Sequence, residues 1–367
     1  MKINRVILSG GGTGGHIFPA LSIANEIKKR YPDAEILFVG ALGRMEMEKI
    51  PAAGYKIVGL PVMGFPRKPG LKIFTFFNKL IQSATMAKKI VKEFRPEIAI
   101  GVGGYASGPL LNAAANHKIP TLIQEQNSYA GITNKILGRK VNSICVAYDN
   151  MERYFPAKKI ILTGNPVREN LLTSIQNKNE ALEYFGLTGN ERVILIVGGS
   201  LGARSINNAV LKNLNVIAKS GVQVIWQTGA IYFERIQAEI QGKKPENLHI
   251  HQFLSRMDLA YSVADVVISR AGAGTISELC LVGKPAILVP SPNVSEDHQT
   301  KNAMALVDKD AAVMITDAEI DKKLFQVAFD LVNNAELCQL MATNIKILAK
   351  PEATKTIVDE VEKIITK

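Results

Sequence analysis

Residues 5–16 read RVILSGGGTGGH, an apolar run of strand length that passes directly into a glycine-rich turn. The run Arg5-Val6-Ile7-Leu8-Ser9 shows no alternation of apolar and polar side chains, as expected of a strand buried on both faces of a parallel sheet. Glycine permits the tight turn and lets backbone N–H groups approach an anion. A helix opening near Pro19 would add partial positive charge at its N-terminus. Outward from this stretch, short β-branched runs alternate with longer helical ones: EILFV at 35–39, EIAIGV at 97–102, PTLI at 120–123, SICV at 143–146 and IIL at 160–162. That rhythm predicts an α/β fold with a doubly wound parallel sheet and crossover helices.

A polar stretch, SIQNKNE at 174–180, follows, and the pattern then restarts. RVILIV at 192–197 runs into Gly198-Gly199-Ser200, and VQVIW (222–226), LHI (248–250), DVVI (265–268) and AILV (286–289) come before a helical C-terminus. The reading is two Rossmann-like domains, 1–165 and 166–349, with a final helix at about 350–367; 367 residues leave room for two full cores. Such sheets bind ligands beyond the carboxyl ends of their strands. Two halves facing a deep interdomain cleft would place the chemistry there.

Hydrophobic residues make up 47% of the chain and charged residues 21%, the balance of a soluble globular protein. Cys145, Cys280 and Cys338 are odd in number and lack ligand spacing, so neither a disulfide framework nor a zinc site is expected, and a reducing compartment fits. The N-terminal apolar run is too short for a signal peptide, and no segment reaches membrane-spanning length, which predicts a cytosolic protein. The net charge of +11 favours anionic lipid, phosphorylated ligands or nucleic acid. With no zinc-finger pattern, RNP motif or basic stripe interleaved with aromatics, nucleic acid is not an expected partner.

The strand–glycine loop–helix arrangement occurs three times: at 10–16, at 101–109 (GVGGYASGP) and at 198–204 (GGSLGAR). Any one of these loops could be no more than a tight turn with close helix–sheet packing; three together favour anion binding. None is read as a dinucleotide fingerprint: Gly10, Gly12 and Gly15 have G-x-G-x-x-G spacing, but the second strand closes at Val39-Gly40 without a convincing acidic residue, and there is no G-x-x-x-x-G-K-[ST] loop. Nicotinamide chemistry and ordinary ATP hydrolysis therefore lose ground.

Six blocks, GGGTGGHIFPA (10–20), GVGGYASGP (101–109), QEQN (124–127), GNPVR (164–168), GGSLGAR (198–204) and SRAGAGTISEL (269–279), together resemble the signature of the MurG family of glycosyltransferases, in its order and over essentially the whole chain. The resemblance implies the GT-B architecture and inverting transfer of N-acetylglucosamine from UDP-GlcNAc. The implied acceptor is undecaprenyl-pyrophosphoryl-MurNAc-pentapeptide (lipid I), giving lipid II for the cell wall. It also implies a UDP-sugar site in the C-terminal half, an acceptor site in the N-terminal half and a last helix that packs back on the first domain. Site residues implied for UDP-GlcNAc are Arg168, Ser200, Glu278 for the ribose diol, the backbone of Leu254 for uracil, Ala273, Gly274 and Thr275 as a loop beside the pyrophosphate and sugar, and Gln299 for the donor sugar. On the acceptor side Thr13, Gly14, Gly15 and Asn127 line the donor, and Gly103, Gly104 and Tyr105 form an acceptor or phosphate loop. Relatives often carry glutamine where this chain has Leu201 and His298.

An inverting displacement needs a base, a positioned acceptor and a stabilised leaving group. His16 is the first candidate base, because imidazole titrates near neutrality; its alternative role is to orient a loop or bind phosphate. Glu125 is the second candidate. No Asp-x-Asp metal site is recognised, so the chemical step is expected to need no metal, and no cofactor is expected. Other readings are a helix-capping role for Glu278 near Thr275, an Arg168–Glu169 surface pair, and a turn role for Asn127 before Tyr129.

The segment MGFPRKPGLKIFTFFNKLI at 63–81 mixes aromatic and basic residues and suits an anionic inner-leaflet surface. Helical periodicity assigns Ile73, Phe74, Phe77, Ile81, Ala84 and Val91 to the core and Phe76 to the flank. Phe65, Arg67, Lys68, Leu71 and Lys72 are left as lipid contacts. The expected location is the cytoplasmic face of the cell membrane, peripherally bound, with other cell-wall synthesis proteins as possible neighbours. Competing readings are a diacylglycerol glycosyltransferase, a UDP-GlcNAc 2-epimerase and a non-catalytic nucleotide-binding protein.

Overall fold

A computed structural model describes residues 2–64, 70, 72–167, 171, 177–199 and 201–366, apart from the side chains of Lys72 and Ser295. The chain divides into two compact units, Met1–Arg168 with Lys350–Lys367, and Glu169–Ala349.

In the first unit β1 (Arg5–Ser9), α1 (Gly14–Arg30), β2 (Glu35–Ala41), α2 (Glu46–Ala52), β3 (Lys56–Leu60), α3 (Lys72–Phe94), β4 (Ile98–Gly101), α4 (Ser107–Asn116), β5 (Thr121–Glu125), α5 (Ile132–Gly138), β6 (Ser143–Val146) and β7 (Ile160–Leu162) follow one another. The sheet is parallel, in the order β3-β2-β1-β4-β5-β6-β7. Strand order reverses at β1, where Ser9 is level with Val39 of β2 and Gly101 of β4. The two glycine loops of this unit leave the sheet at that switch point, where an open parallel sheet opens a ligand crevice.

The unalternating β1 sequence has its reason in the packing. Val6 and Leu8 sit with Ile17, Ile23 and Ile27 of α1, whereas Ile7 sits on the opposite face with Leu110, Leu111 and Ile123.

The second unit contains α6 (Lys178–Phe185), β8 (Val193–Val197), α7 (Arg204–Lys212), α8 (Leu214–Lys219), β9 (Gln223–Gln227), α9 (Phe233–Ile240), β10 (Leu248–His251), α10 (Met257–Val263), β11 (Val266–Ser269), α11 (Ala273–Val282), β12 (Ala286–Leu288), α12 (His298–Val307), β13 (Val313–Met314), α13 (Ile320–Asn333) and α14 (Ala335–Ile347). Its sheet is also parallel, in the order β10-β9-β8-β11-β12-β13, and reverses between β8 and β11.

The last helix, α15 (Ala353–Ile365), belongs to the first unit. Its Ile357, Val358 and Val361 join the α1 face of the core. Arg30 at the end of α1 donates to Glu26 (2.8 Å), Asp359 (2.5 Å) and Glu362 (3.0 Å) and so ties the two helices together.

Two expectations fail at the level of elements. Helix α1 starts at Gly14 rather than near Pro19, because the His16 and Ile17 N–H groups already close on the Thr13 carbonyl at 3.1 and 3.2 Å. Proline is therefore the sixth helical residue.

Helix α3 is turned by about one residue, ~100°, from the predicted stripe. Val91 is buried as expected, but so are Ser83 and Ala87, and Phe76 is partly so, while Phe74 is 75% exposed, Ile81 67% and Phe77 52%. Periodicity identifies the most apolar face, but an apolar face is not always an inward one. Among the described residues, no helix is long and apolar enough to cross a membrane.

Candidate active site

In the second unit, β8 ends in the third glycine loop. Gly199 (φ +88°) and Gly202 (φ +83°) adopt left-handed conformations, and a side chain on Gly202 would sit 2.0 Å from the Thr228 carbonyl. Only glycine lets this loop lie against the β9 end, where Gln227 Nε2 also donates to the Gly199 carbonyl at 2.9 Å. The loop leads into α7, whose N-cap Ala203 offers no side-chain acceptor. Across the switch point, α11 starts behind Gly272, likewise without a side-chain cap. Both helix starts border one cavity of ≈ 650 Å³ lined by Gly199, Arg204, Arg270, Thr275, Gln299 and Asp317, among others. Uncapped helix N-termini present N–H donors and partial positive charge, so two of them on one cavity make a site for a multiply charged anion.

Ala273, Gly274 and Thr275, expected as a loop, are instead the first turn of α11. The change strengthens their suitability for phosphate. Glu278 is the sixth residue of α11, too far along to cap it, and its Oε2 accepts from the buried Tyr261 hydroxyl at 3.1 Å. That bond fixes the direction of a half-buried carboxylate. Leu254 is buried, and its N–H donates to Gln227 Oε1 at 3.4 Å. Gln299 Oε1 accepts from the Ser291 N–H at 2.8 Å, which orients the amide beside the cavity. Arg168 and Ser200 lie outside the described residues.

Sequence reasoning missed three residues of this cavity. Arg204 is exposed at the first position of α7 and lines it. Arg270 is committed to its surroundings: Nη1 donates to Asp317 (2.7 Å) and to the carbonyls of Val289 and Pro290 (3.1 Å each), and Nη2 donates to Ser205 Oγ (2.7 Å). Asp317 also accepts from Ser205 at 2.5 Å. Arg204 and Arg270 stand inside motifs already singled out; Asp317 has no motif around it.

In the first unit, Thr13 is the N-cap of α1, and Gly14, Gly15 and His16 form its first turn. His16 Nδ1 lies 3.0 Å from the Gly11 carbonyl. A carbonyl only accepts, so Nδ1 carries a proton, and in a neutral ring the lone pair is then on Nε2.

The second loop packs against the first. Gly103 (φ +103°) would place a side chain 2.7 Å from His16 Nε2, and Gly104 (φ +88°) would place one 2.6 Å from the Gly11 carbonyl. Ser107 Oγ donates to the carbonyls of Ser9 (3.1 Å) and Gly103 (2.8 Å), clamping the two loops, and Tyr105 is exposed beside them.

Two acidic residues change the earlier reading. Glu46 is fully buried beneath the first loop, with Oε2 accepting from the Gly12 N–H at 2.8 Å and Oε1 from the Ala41 N–H at 2.9 Å. The Gly12 N–H is thus spent on a carboxylate, and the first loop is not a simple anion cradle. Glu125, the second candidate base, is 2% exposed. Its oxygens accept from Asn127 N (3.0 Å), Asn127 Nδ2 (3.2 Å), Gly131 N (3.1 Å) and Asn134 Nδ2 (2.8 Å). A buried carboxylate with this many donors organises its loop and sets the position of Asn127; it is not placed to take a proton from substrate.

The QEQN and GNPVR blocks are joined by buried amides, with Gln124 Nε2 donating to Asn165 Oδ1 at 2.8 Å and Asn165 Nδ2 to the Gln126 carbonyl at 3.0 Å. Burial raises the Cys145 thiol well above its usual range and pushes Cys280 up to about 12, so neither is a thiolate nucleophile. Phe65, Arg67, Lys68 and Leu71 lie outside the described residues, as does the Lys72 side chain.

Residues 6–146 match the glycosyltransferase family 28 N-terminal domain, and residues 193–357 match the family's C-terminal domain. The chain belongs to glycosyltransferase family 28. A Parabacteroides distasonis protein, the UDP-N-acetylglucosamine–N-acetylmuramyl-(pentapeptide) pyrophosphoryl-undecaprenol N-acetylglucosamine transferase, is 56% identical over 367 residues, covering 100% of both chains. The enzyme of the same name from Phocaeicola vulgatus is 57% identical over 364 residues, 99% of this chain and 97% of its own. Among solved structures, MurG of Acinetobacter baumannii superposes with a TM-score of 0.78 at 30% identity, covering 98% of this chain and 99% of that one. A UDP-N-acetylglucosamine 2-epimerase has a TM-score of 0.67 at 15% identity over 98% of this chain and 95% of its own, a likeness of fold alone. Both units are thus parallel-sheet α/β domains of the GT-B glycosyltransferase kind.

Proposed function

We propose that this chain moves N-acetylglucosamine from UDP-GlcNAc to lipid I, the undecaprenyl-pyrophosphoryl N-acetylmuramoyl-pentapeptide, giving lipid II for peptidoglycan. The full-length match to transferases of that name carries the reading. The chemistry of the second unit supports the donor half. UDP carries its charge on a pyrophosphate, and the starts of α7 and α11 converge on one cavity that Arg204 also lines. Glu278, oriented by Tyr261, suits the ribose diol, because a carboxylate accepts from both hydroxyls.

In this mechanism the acceptor hydroxyl attacks the anomeric carbon in line, His16 Nε2 takes its proton and UDP departs with inversion. The helix ends and arginines receive the leaving charge as it develops, which is the usual electrostatic means of lowering such a barrier. We take this donor set to suffice without a metal. The exposed α3 face, Phe74, Phe77, Leu80 and Ile81, supports peripheral attachment to an anionic inner leaflet, where the lipid acceptor resides. Other cell-wall proteins at that surface remain part of the proposal.

The test is release of UDP from UDP-GlcNAc with and without a lipid I analogue. A transferase releases UDP only when the acceptor is present. Release without acceptor, with appearance of the 2-epimer, would support the epimerase reading.

A further inference from the structure

The first glycine loop poses a chemical problem: a carboxylate lies beneath a stretch that looks built for anions. Glu46 opens α2 and is 0% exposed. Burying a carboxylate is costly unless hydrogen bonds compensate, and here each oxygen accepts one backbone N–H, Gly12 at 2.8 Å and Ala41 at 2.9 Å. The surrounding glycines make the room. A side chain at Gly11 would sit 2.1 Å from Glu46 Oε1, and one at Gly40 would sit 2.6 Å from its Cγ. The glycines at 11 and 40 are thus explained by this carboxylate rather than by a ligand.

The Gly12 N–H belongs to the same peptide group as the Gly11 carbonyl, and that carbonyl faces His16 Nδ1 at 3.0 Å. In a trans peptide the N–H and C=O point in opposite directions, so carboxylate, peptide and imidazole form one chain of two hydrogen bonds. We infer that Glu46 is a positioning residue for His16, acting through the Gly11–Gly12 peptide: it holds that peptide in the one orientation that fixes the Nδ1–H tautomer and presents the Nε2 lone pair. The inference rests on the reading of His16 as the base.

The arrangement serves the end that a directly bonded carboxylate serves in other acid–base sites, with a peptide inserted between carboxylate and ring. Linked hydrogen bonds polarise one another, by roughly 10–30% per bond, so the carboxylate charge also favours an electron-rich carbonyl at Gly11. A second glycine stands on the Nε2 side. Gly103 adopts φ +103°, and a side chain there would lie 2.7 Å from Nε2. Glu46 touches no substrate in this scheme and transfers no proton.

The test uses the full-length protein labelled with ¹⁵N at its five histidines, His16 being assigned by its loss in His16→Gln. In the wild type at a pH where the ring is neutral, His16 shows the Nδ1–H tautomer. A dominant Nε2–H tautomer overturns the inference without any Glu46 variant. In Glu46→Gln the amide cannot accept from both N–H groups; the tautomers mix, kcat falls at least about tenfold and the KM for UDP-GlcNAc stays within about twofold, a split that general loosening of the fold would not give.

A Glu46→Gln enzyme with wild-type kcat and an unchanged tautomer overturns the inference and leaves the base reading intact. Wild-type kcat in His16→Ala removes the base reading itself, whatever Glu46 does. The two failures are therefore separable.

Discussion

With its Nδ1 proton engaged by the Gly11 carbonyl, a neutral His16 carries its lone pair on Nε2, the atom proposed as the base. A positioned base of this kind contributes about 10²- to 10⁴-fold to rate, so His16→Ala should lower kcat by that factor at saturating substrates; near-normal turnover would remove the assignment. The role proposed for Glu278 is different, in binding the ribose. A hydrogen bond to a charged group is worth about 1.5–3 kcal/mol, so Glu278→Gln should raise the UDP-GlcNAc KM roughly 10- to 100-fold with little change in kcat, measured with a soluble acceptor. An unchanged KM would place the ribose elsewhere. His16 was legible in the sequence because it ends a glycine loop, and Glu278 because it sits in a recognisable block. Glu46 was not, since a buried carboxylate bonded to backbone amides has no spacing or charge pattern to betray it. Glu125 misled for the converse reason: a conspicuous motif position turned out to hold a structural carboxylate.

Among the elements, β1 was legible from its unbroken apolar run, and the sheet order places both of its glycine loops at a switch point. Helix α1 begins ahead of the proline that signals a helix start in the sequence, because the glycine turn before it closes on its own. On α3, Val91 is buried as expected, but Phe74, Phe77, Ile81 and Ala84 of the face assigned to the core are exposed, which moves the proposed lipid contacts onto Phe74, Phe77 and Ile81. Burying each such side chain yields about 1.5–3 kcal/mol, so Phe74→Ser with Ile81→Ser should weaken binding to anionic vesicles at least tenfold in co-sedimentation. Neutralising Arg67, Lys68 and Lys72 should weaken it further, by about 1 kcal/mol per charge. Undiminished binding in both variants would move the membrane surface elsewhere.

Strand β10 carries a pH dependence. Burial, together with the nearby Lys244 charge, holds the His249 and His251 imidazoles below their usual range. As pH falls through about 6.5, the unfolded chain gains protons that the folded strand resists, so stability drops below that value. The thermal midpoint of the protein should therefore fall between pH 7.5 and 5.5, and His249→Gln with His251→Gln should blunt the fall.

For the whole molecule, two parallel sheets follow from one repeated rhythm, and that rhythm was readable because strands buried on both faces cannot hide their apolarity. The cavity proposed for the donor was partly readable. Its glycines and Thr275 stand in motifs, whereas the Arg270–Asp317–Ser205 network is made by residues 47 and 65 positions from Arg270 that only folding brings together. The most direct measurement of the central claim is transfer of labelled N-acetylglucosamine from UDP-GlcNAc to a soluble lipid I analogue, run beside diacylglycerol as acceptor. The account predicts labelled disaccharide product with the lipid I analogue and none with diacylglycerol; product with diacylglycerol alone would contradict it.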